Sequence, residues 1–263
     1  MLEIKNVTKI FNLTGNKEDT RVALDNVSLN IKDGDFVTII GGNGSGKSTL
    51  MNIITGVLTP ENGKVLLNDK DITNITEYKR APYFGRVFQD PMLGTAGDMS
   101  VIENLEIAYR RGKRNGLRWG FKKSHVELFK EELKKFDLGL ETRLYQKVKL
   151  LSGGQRQALT LLMAAMANPQ ILLLDEHTAA LDPKTAKNVL TITDKIIQEN
   201  HLTTLMITHN LKDAIKYGNR LVMLHNGKII LDVRDEEKSH LKVEDLLTKF
   251  QKDDAIDDNL FLN

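Results

Sequence analysis

Three short apolar runs indicate a chain in which strands alternate with helices. FVTII at 36–40, ILLL at 171–174 and TLMI at 204–207 are continuously apolar, as is typical of strands buried on both faces of a parallel sheet. Between the last two runs, Asp182 is suited to cap a helix and Pro183 to occupy its first position, and the apolar residues that follow share one face. This alternation predicts an open α/β sheet.

Shorter β-like stretches lie on either side of this core. Residues 3–11 and 27–31 resemble strands and are separated by the polar segment 12–20, which predicts a small antiparallel subdomain ahead of the core. Toward the other end, the runs LVML and IIL flank Asn226 and Gly227, a pair that adopts the positive φ angles of a tight turn. The pattern predicts a β-hairpin there.

The middle and the end of the chain have a helical pattern. Residues 92–150 contain the segments SVIENLEIAYRR and HVELFKEELKKF, and we interpret this section as a helical insertion into the sheet domain. From about residue 236 the chain is a charged extension with one helical stretch, VEDLLTKF, and an acidic end.

Composition excludes several classes of protein. The 263 residues include no cysteine, which excludes a disulfide framework, a thiolate zinc site and a cysteine nucleophile. With 37 Lys and Arg against 35 Asp and Glu, the formal net charge of +2 gives no argument for nucleic-acid binding. The N-terminus lacks the pattern of a signal peptide, and no apolar run approaches the ~18 residues of a membrane-spanning helix. We therefore expect a chain that is soluble by itself.

The segment GGNGSGKST is the first motif that indicates a chemical function. It fits the pattern G-x-x-x-x-G-K-[ST] between a predicted strand and a predicted helix, so its amides and the helix N-terminus can surround a phosphate. We expect Lys47 to reach the β- and γ-phosphates and Ser48 to ligate Mg²⁺; the alternative is a Gly-rich turn with an incidental lysine. The predicted nucleotide contacts are Gly41, Gly42, Asn43, Gly44, Ser45, Gly46, Lys47, Ser48 and Thr49.

A second motif, LSGGQ at 151–155, precedes an apolar helical segment. Ser152, Gly153, Gly154 and Gln155 would open a helix with exposed N-terminal amides and so form a second anion-binding surface. One nucleotide would not normally need both surfaces from the same molecule. A two-fold dimer, in which each copy supplies this motif to the other's nucleotide, is therefore an attractive arrangement.

With both motifs in place, residues 1–235 resemble the ATP-binding subunits of ABC transporters. The resemblance implies an α/β fold with a P-loop NTPase (RecA-like) core, an N-terminal antiparallel β-subdomain and an inserted helical signature subdomain. It also implies a homodimer with ATP between the loop of one subunit and the signature of its partner. Within one ATPase domain, 1–263, the expected divisions are 1–90 for the β-subdomain and phosphate-loop part of the core, 91–160 for the helical subdomain, 161–235 for the rest of the core and 236–263 for a C-terminal extension.

Two adjacent carboxylates, Asp175 and Glu176, follow the buried run at 171–174. Because side chains alternate along a strand, the two cannot share one environment, and different roles are natural. The resemblance implies that Asp175 supports Mg²⁺ through water and that Glu176 is the base, or orients the water, for hydrolysis of the γ-phosphate. An ordinary polar strand end is the alternative.

Two further polar residues match family positions. His209 follows the run TLMI at its carboxyl end, where ligands gather in open α/β sheets, and the resemblance implies a contact with the γ-phosphate. Gln89 resembles the glutamine that touches Mg²⁺ and the attacking water and leads into the helical insertion. A structural histidine and an uninvolved glutamine are the alternatives.

The remaining family positions are less specific. Phe11 resembles the aromatic residue that stacks on adenine, although it could equally be a core residue of its strand. Asp182 is both a helix cap and the family's dimer-contacting aspartate. The sequence departs from the family at His177, where proline is common, and at Ala180, where serine is common. His177 adjoins Glu176, so we expect it to affect the protonation of Glu176 or the local loop, and with it the rate of hydrolysis.

These features lead to one hypothesis about function. We expect a motor subunit that binds and hydrolyses ATP with Mg²⁺ in a bacterial ABC importer of an amino acid or similar small solute. The segments DEHTAALDPKTA and QDPMLGTAGDMSVIENL resemble importer ATPases of the tryptophan/tyrosine type. The expected partners are a second copy, integral-membrane permease subunits and an extracytoplasmic solute-binding protein, with no nucleic acid. The expected location is the cytoplasmic face of the membrane.

Three other functions are alternatives to this hypothesis. An exporter or lipid-extraction ATPase would use the same motor with different permeases. A non-transport ABC protein acting on DNA or ribosomes generally needs a long coiled-coil insertion or two fused ATPase units, and a metabolite kinase has no use for LSGGQ.

The basic segment 109–123 is either a solvated face or lies near anionic headgroups or a permease loop.

Overall fold

The computed structural model describes residues 1–12, 20–111 and 122–253, with side chains described through residue 250. The chain forms two compact units: Met1–Arg80 together with the chain from Thr203 onward, and Ala81–Leu202 between them. The four divisions expected from the sequence remain a prediction. Most of the basic segment 109–123, and the acidic end beyond residue 253, lie outside the described residues.

In chain order the strands are β1 (Leu2–Asn12), β2 (Thr20–Ile31), β3 (Phe36–Ile40), β4 (Asn62–Leu67), β5 (Lys70–Asp71), β6 (Phe84–Val87), β7 (Ile171–Asp175), β8 (Thr203–Ile207), β9 (Arg220–His225) and β10 (Lys228–Arg234). The helices are α1 (Lys47–Thr55), α2 (Glu77–Arg80), α3 (Val101–Arg110), α4 (Lys123–Lys134), α5 (Gly153–Met166), α6 (Pro183–Asn200), α7 (Leu211–Lys216), α8 (Asp235–Ser239) and α9 (Val243–Asp253), with 3₁₀ turns at Leu140–Thr142 and Val148–Leu150.

The first unit contains an antiparallel sheet of strand order β2-β1-β4-β5, which confirms the predicted N-terminal β-subdomain. Strand β2 begins at Thr20, seven residues before the predicted start at residue 27, because it pairs with β1 over nearly the whole length of both strands. The pairing runs from Leu2 opposite Ile31 to Asn12 opposite Thr20.

The same unit contains β3 and β8, two of the three strands that the buried runs predict. Strand β3 lies between β8 and β9, parallel to both, and every residue of β3 is buried. Thr38, the polar residue of β3, donates its hydroxyl proton to the carbonyl of Ala214 or Arg220, at 2.9 and 3.1 Å. The predicted hairpin joins β9 to β10 through Asn226 and Gly227, whose φ angles of 46° and 76° are those of the tight turn.

The C-terminal extension is partly core. Leu246 and Phe250 of α9 are buried against residues of β3, α7, β9 and β10. The sequence analysis did not predict this buried apolar face, because the charged residues on the solvated side of the helix dominate the pattern.

The second unit holds the parallel pair β6 and β7 and the helices α3 to α6. Polar residues start three of these helices: Ser100 with Glu103 forms a capping box at α3, Ser152 with Gln155 forms one at α5, and Asp182 caps α6 ahead of Pro183. No helix within the described ranges is both long and apolar enough to cross a bilayer.

Candidate functional site

The phosphate loop connects β3 to α1 in the first unit. Gly44 and Gly46 have φ angles of 76° and 106°, in the left-handed region that glycine adopts without strain. A Cβ on Gly46 would lie 2.5 Å from the Ala23 carbonyl oxygen, so a larger residue would collide with the backbone of β2. Gly46 is also the residue from which α1 begins. The glycines therefore allow the chain to turn so that α1 begins directly at the end of the loop.

The polar groups of the loop fit a bound phosphate. The Lys47 ammonium is buried and donates to the Gly41 and Gly42 carbonyls at 2.7 and 3.0 Å, so a positive charge is already held over the loop. Ser45 Oγ is buried and has no hydrogen-bond partner among the described residues. A buried hydroxyl left unpaired is costly, and an anion would satisfy it.

The loop and His209 lie at one edge of the parallel strands. Ile39 of β3 pairs with Ile207 of β8, and the Thr208 amide donates to the Ile39 carbonyl at 3.2 Å. His209 follows directly and is half-buried. The structure therefore brings the carboxyl end of β8 beside the start of the loop.

Phe11 lies near the end of β1, half-buried, with the Lys9 ammonium 5.5 Å from its ring centroid. Its partner across the strand pair is Arg21, whose Nη2 donates to the Gly44 carbonyl at 3.4 Å. The sequence did not single out Arg21. The strand register, which places it opposite Phe11, is the signal that identifies it. Stacking of Phe11 on adenine remains a prediction.

Asp175 and Glu176 lie in different surroundings in the second unit. Asp175 is the last residue of β7, and its Oδ2 accepts a hydrogen bond from Arg86 Nη2 at 3.1 Å. Glu176 follows with a φ of 46°, a left-handed conformation that is uncommon for a side-chain-bearing residue and recurs at functional sites. Arg86 was not predicted from the sequence, since its contact with Asp175 depends on the pairing of β6 with β7.

Gln89 lies two residues beyond the end of β6 and is exposed. Val87 pairs with Leu174 in parallel register, so the segment that leads to Gln89 and the pair Asp175 and Glu176 leave the two strands at the same edge. The Gln157 amide of α5 reaches the Phe88 carbonyl at 3.4 Å.

The signature segment opens α5 as predicted. Ser152 Oγ accepts from the Gln155 amide at 3.3 Å, while the Gln155 side chain accepts from the Ser152 amide at 3.1 Å and donates to the Leu138 carbonyl at 3.0 Å. A Cβ on Gly154 would lie 2.2 Å from Thr185 Cγ2, and one on Gly153 would lie 3.4 Å from Leu181. Gly154 therefore allows α5 to start close against the beginning of α6, whereas the space at Gly153 would admit a Cβ.

Asp182 caps α6 through the Thr185 amide at 3.1 Å, and its hydrogen bonds to Thr185 lower the pKa of the Asp182 carboxyl. Ala180 is exposed, whereas His177 is buried, and burial lowers the pKa of His177 to about 4. The imidazole beside Glu176 is therefore neutral at physiological pH.

The predicted metal contacts are the Ser48 hydroxyl, the Gln89 amide and the Asp175 carboxylate. All three supply oxygen atoms, which Mg²⁺ prefers, and the first two side chains are exposed. Each residue therefore offers a ligand atom that suits Mg²⁺, and a shared Mg²⁺ site remains a prediction. The described residues contain no group of three His, Cys, Asp or Glu side chains that could hold another metal.

Comparison with known proteins identifies relatives along nearly the whole chain. A sequence model of the family described as ABC transporter matches residues 24–179. The chain is 50% identical to a tyrosine transport ATP-binding protein of Clostridioides difficile, over 95% of this chain and 99% of that protein. It is 33% identical to the methionine import ATP-binding protein MetN of Clostridium tetani, over 87% of this chain and 68% of MetN.

The structure also resembles a solved ATP-binding cassette of Methanocaldococcus jannaschii. That cassette is a dimer in a post-hydrolysis state with ADP and phosphate bound. The TM-score is 0.76 at 32% sequence identity, with 89% of this chain and 98% of that chain covered. This likeness confirms the predicted α/β fold with a P-loop NTPase core.

Proposed function

Because this chain belongs to the ABC transporter family and is one of its ATP-hydrolysing subunits, we propose that it powers the import of tyrosine or a closely related amino acid. The observation that supports tyrosine as the solute is the 50% identity of this chain to a tyrosine transport ATP-binding protein. This chain covers 99% of that protein. No residue of this chain is assigned to the solute, because selectivity resides in the membrane and binding-protein subunits.

Each group of site residues has a proposed role in binding or hydrolysing ATP. Lys47 and the loop amides hold the phosphates, and Phe11 stacks on the adenine. Ser48, Gln89 and Asp175 would hold Mg²⁺, which neutralises charge on the phosphates when bound. Glu176 orients the attacking water and accepts its proton, and His209 donates a hydrogen bond to the γ-phosphate. The buried Ser45 hydroxyl and the ammonium already held in the loop support this assignment.

We extend the proposal to a homodimer in which Ser152, Gly153, Gly154 and Gln155 of one copy bind the nucleotide held by the other. The capped N-terminus of α5 supplies amides and partial positive charge for this purpose. Asp182 lies at the contact between the copies. The dimeric state of the similar cassette from M. jannaschii supports this arrangement.

ATP binding favours the closed dimer, and closure changes the conformation of attached permease subunits. Such coupling is reciprocal, so the permease and its solute must in turn alter nucleotide affinity. The expected location is the cytoplasmic face of the membrane, with an extracytoplasmic solute-binding protein completing the system. An exporter is not favoured, because the MetN relative described above is named for import.

Purification of this chain from detergent-solubilised membranes tests the proposed partners. We expect an integral-membrane permease to co-purify, together with tyrosine uptake in proteoliposomes that requires ATP on the side of this chain. Recovery of the chain without any membrane protein, or with a permease that carries solute outward, would contradict the proposal.

A further inference from the structure

An arginine holds the carboxylate assigned to the metal. Arg86 Nη2 donates to Asp175 Oδ2 at 3.1 Å, and the two side chains are only 16% and 15% exposed. Arg86 lies on β6 and pairs in register with Leu173 of β7, so the neighbouring strands carry the two charged groups toward each other. The ion pair of Arg86 and Asp175 therefore depends on the pairing of these two parallel strands.

The same guanidinium also contacts the segment that leads to Gln89. The Arg86 guanidinium carbon lies 4.7 Å from the ring centroid of Phe88, a cation–π distance. Contacts with Asp175 and with Phe88 therefore hold the guanidinium beside the carboxylate.

The charge of Arg86 has a consequence for Mg²⁺. A guanidinium remains protonated at every pH that a protein tolerates. It offsets the negative charge of Asp175 at close range, in surroundings that screen charges less than water does. A divalent cation approaching that carboxylate is therefore attracted less strongly than it would be by the carboxylate alone.

We propose that Arg86 is a positioning residue that fixes Asp175 and sets the Mg²⁺ concentration at which this subunit binds nucleotide as its metal complex. The inference rests on the proposed role of Asp175. Arg86 acts through Asp175 and is not assigned a contact with the nucleotide.

The test measures how much of a fluorescent ADP analogue, held at low concentration, is bound as Mg²⁺ is titrated, and compares the Mg²⁺ concentrations that give half of the metal-dependent rise in binding. Arg86→Gln keeps a hydrogen-bond donor without the charge, and we expect it to lower this concentration by about threefold or more. Arg86→Lys keeps the charge and should resemble the wild type. An unchanged or higher concentration in Arg86→Gln would overturn the proposal.

Arg110→Gln is the matched control, since Arg110 pairs with Glu106 at 2.5 Å in the same unit. It should lower the melting temperature without moving the Mg²⁺ midpoint. If Arg86→Gln does not fold, as judged by melting without ligand, Arg86→Met takes its place with the same expectation.

Asp175→Asn separates this inference from the proposed function. It should raise the Mg²⁺ concentration required. If Asp175→Asn leaves that concentration unchanged, the proposed role of Asp175 is wrong, and the inference about Arg86 is overturned with it. If Asp175→Asn raises it while Arg86→Gln has no effect, only the inference about Arg86 is wrong.

Discussion

His177 and Thr193 form a buried hydrogen bond beside the proposed catalytic carboxylate. His177 Nε2 lies 3.3 Å from Thr193 Oγ1, and that hydroxyl donates its own proton to the Val189 carbonyl at 2.7 Å. Because the threonine proton is already used, His177 must donate from Nε2, and since burial lowers its pKa to about 4, the ring is neutral at pH 7 with its one hydrogen on Nε2. The bond ties the residue after Glu176 to the interior of α6.

This bond predicts acid sensitivity. Burial lowers the pKa of His177 from 6.5 to about 4, so between those values the unfolded chain binds a proton that the folded chain does not. The stabilising contribution is complete above about pH 6.5 and declines as the pH falls toward 4. We expect the wild type to lose about 3 kcal/mol more than His177→Gln between pH 7 and pH 4. Urea unfolding of both proteins measures this, and identical pH profiles would contradict it.

Lys47→Ala should weaken nucleotide binding without unfolding the loop. The ammonium donates to the Gly41 and Gly42 carbonyls, whereas the backbone conformation of the loop depends on its glycines. We expect a loss of affinity for ATP of about tenfold or more, since the charge-assisted contact to the phosphates disappears. Titration with a fluorescent ATP analogue measures the affinity. Lys70→Ala, an exposed lysine on β5, is the control and should bind as the wild type does.

Ser152→Ala and Ser100→Ala separate helix capping from dimer formation. Each serine belongs to a capping box, at α5 and α3 respectively, so each substitution should cost about 1 kcal/mol of stability. Ser152→Ala should also weaken the ATP-dependent dimer, while Ser100→Ala should leave it intact. Analytical ultracentrifugation with ATP, with Glu176→Gln added to both variants so that the dimer persists, provides the comparison. Equal dimerisation of the two variants would argue against a nucleotide contact at α5.

Glu176→Gln should retain ATP and accumulate as the ATP-bound dimer. The amide cannot accept the proton of the attacking water, so we expect hydrolysis to fall by about 100-fold or more. Size-exclusion chromatography with ATP and Mg²⁺ should show a dimer that the wild type forms only transiently. A variant that stays monomeric at high protein concentration would count against the proposed dimer.

The local features were predictable because they depend on residues close together in the chain. Asp182 with Pro183, Asn226 with Gly227 and the start of α5 at Ser152 each follow from local backbone chemistry. The buried runs also identified β3, β7 and β8 correctly, since few other structures bury so many consecutive β-branched and aliphatic side chains.

The contacts that the sequence did not reveal join distant segments. Arg86 meets Asp175 only because β6 pairs with β7, and Arg21 lies opposite Phe11 only because of the register between β1 and β2. Such a register depends on the whole sheet, and a shift by one residue would turn each arginine to the other face.

ATP hydrolysis by the reconstituted transporter tests both the proposed catalytic site and the proposed solute. The complex of this chain with its permease is placed in proteoliposomes, and hydrolysis is measured with the solute-binding protein, with and without tyrosine. We expect a higher rate with tyrosine, abolished in the complex that carries Glu176→Gln. A rate that requires Glu176 but is the same with and without tyrosine would contradict the proposed import of tyrosine, and a rate unaffected by Glu176→Gln would contradict the proposed catalytic site.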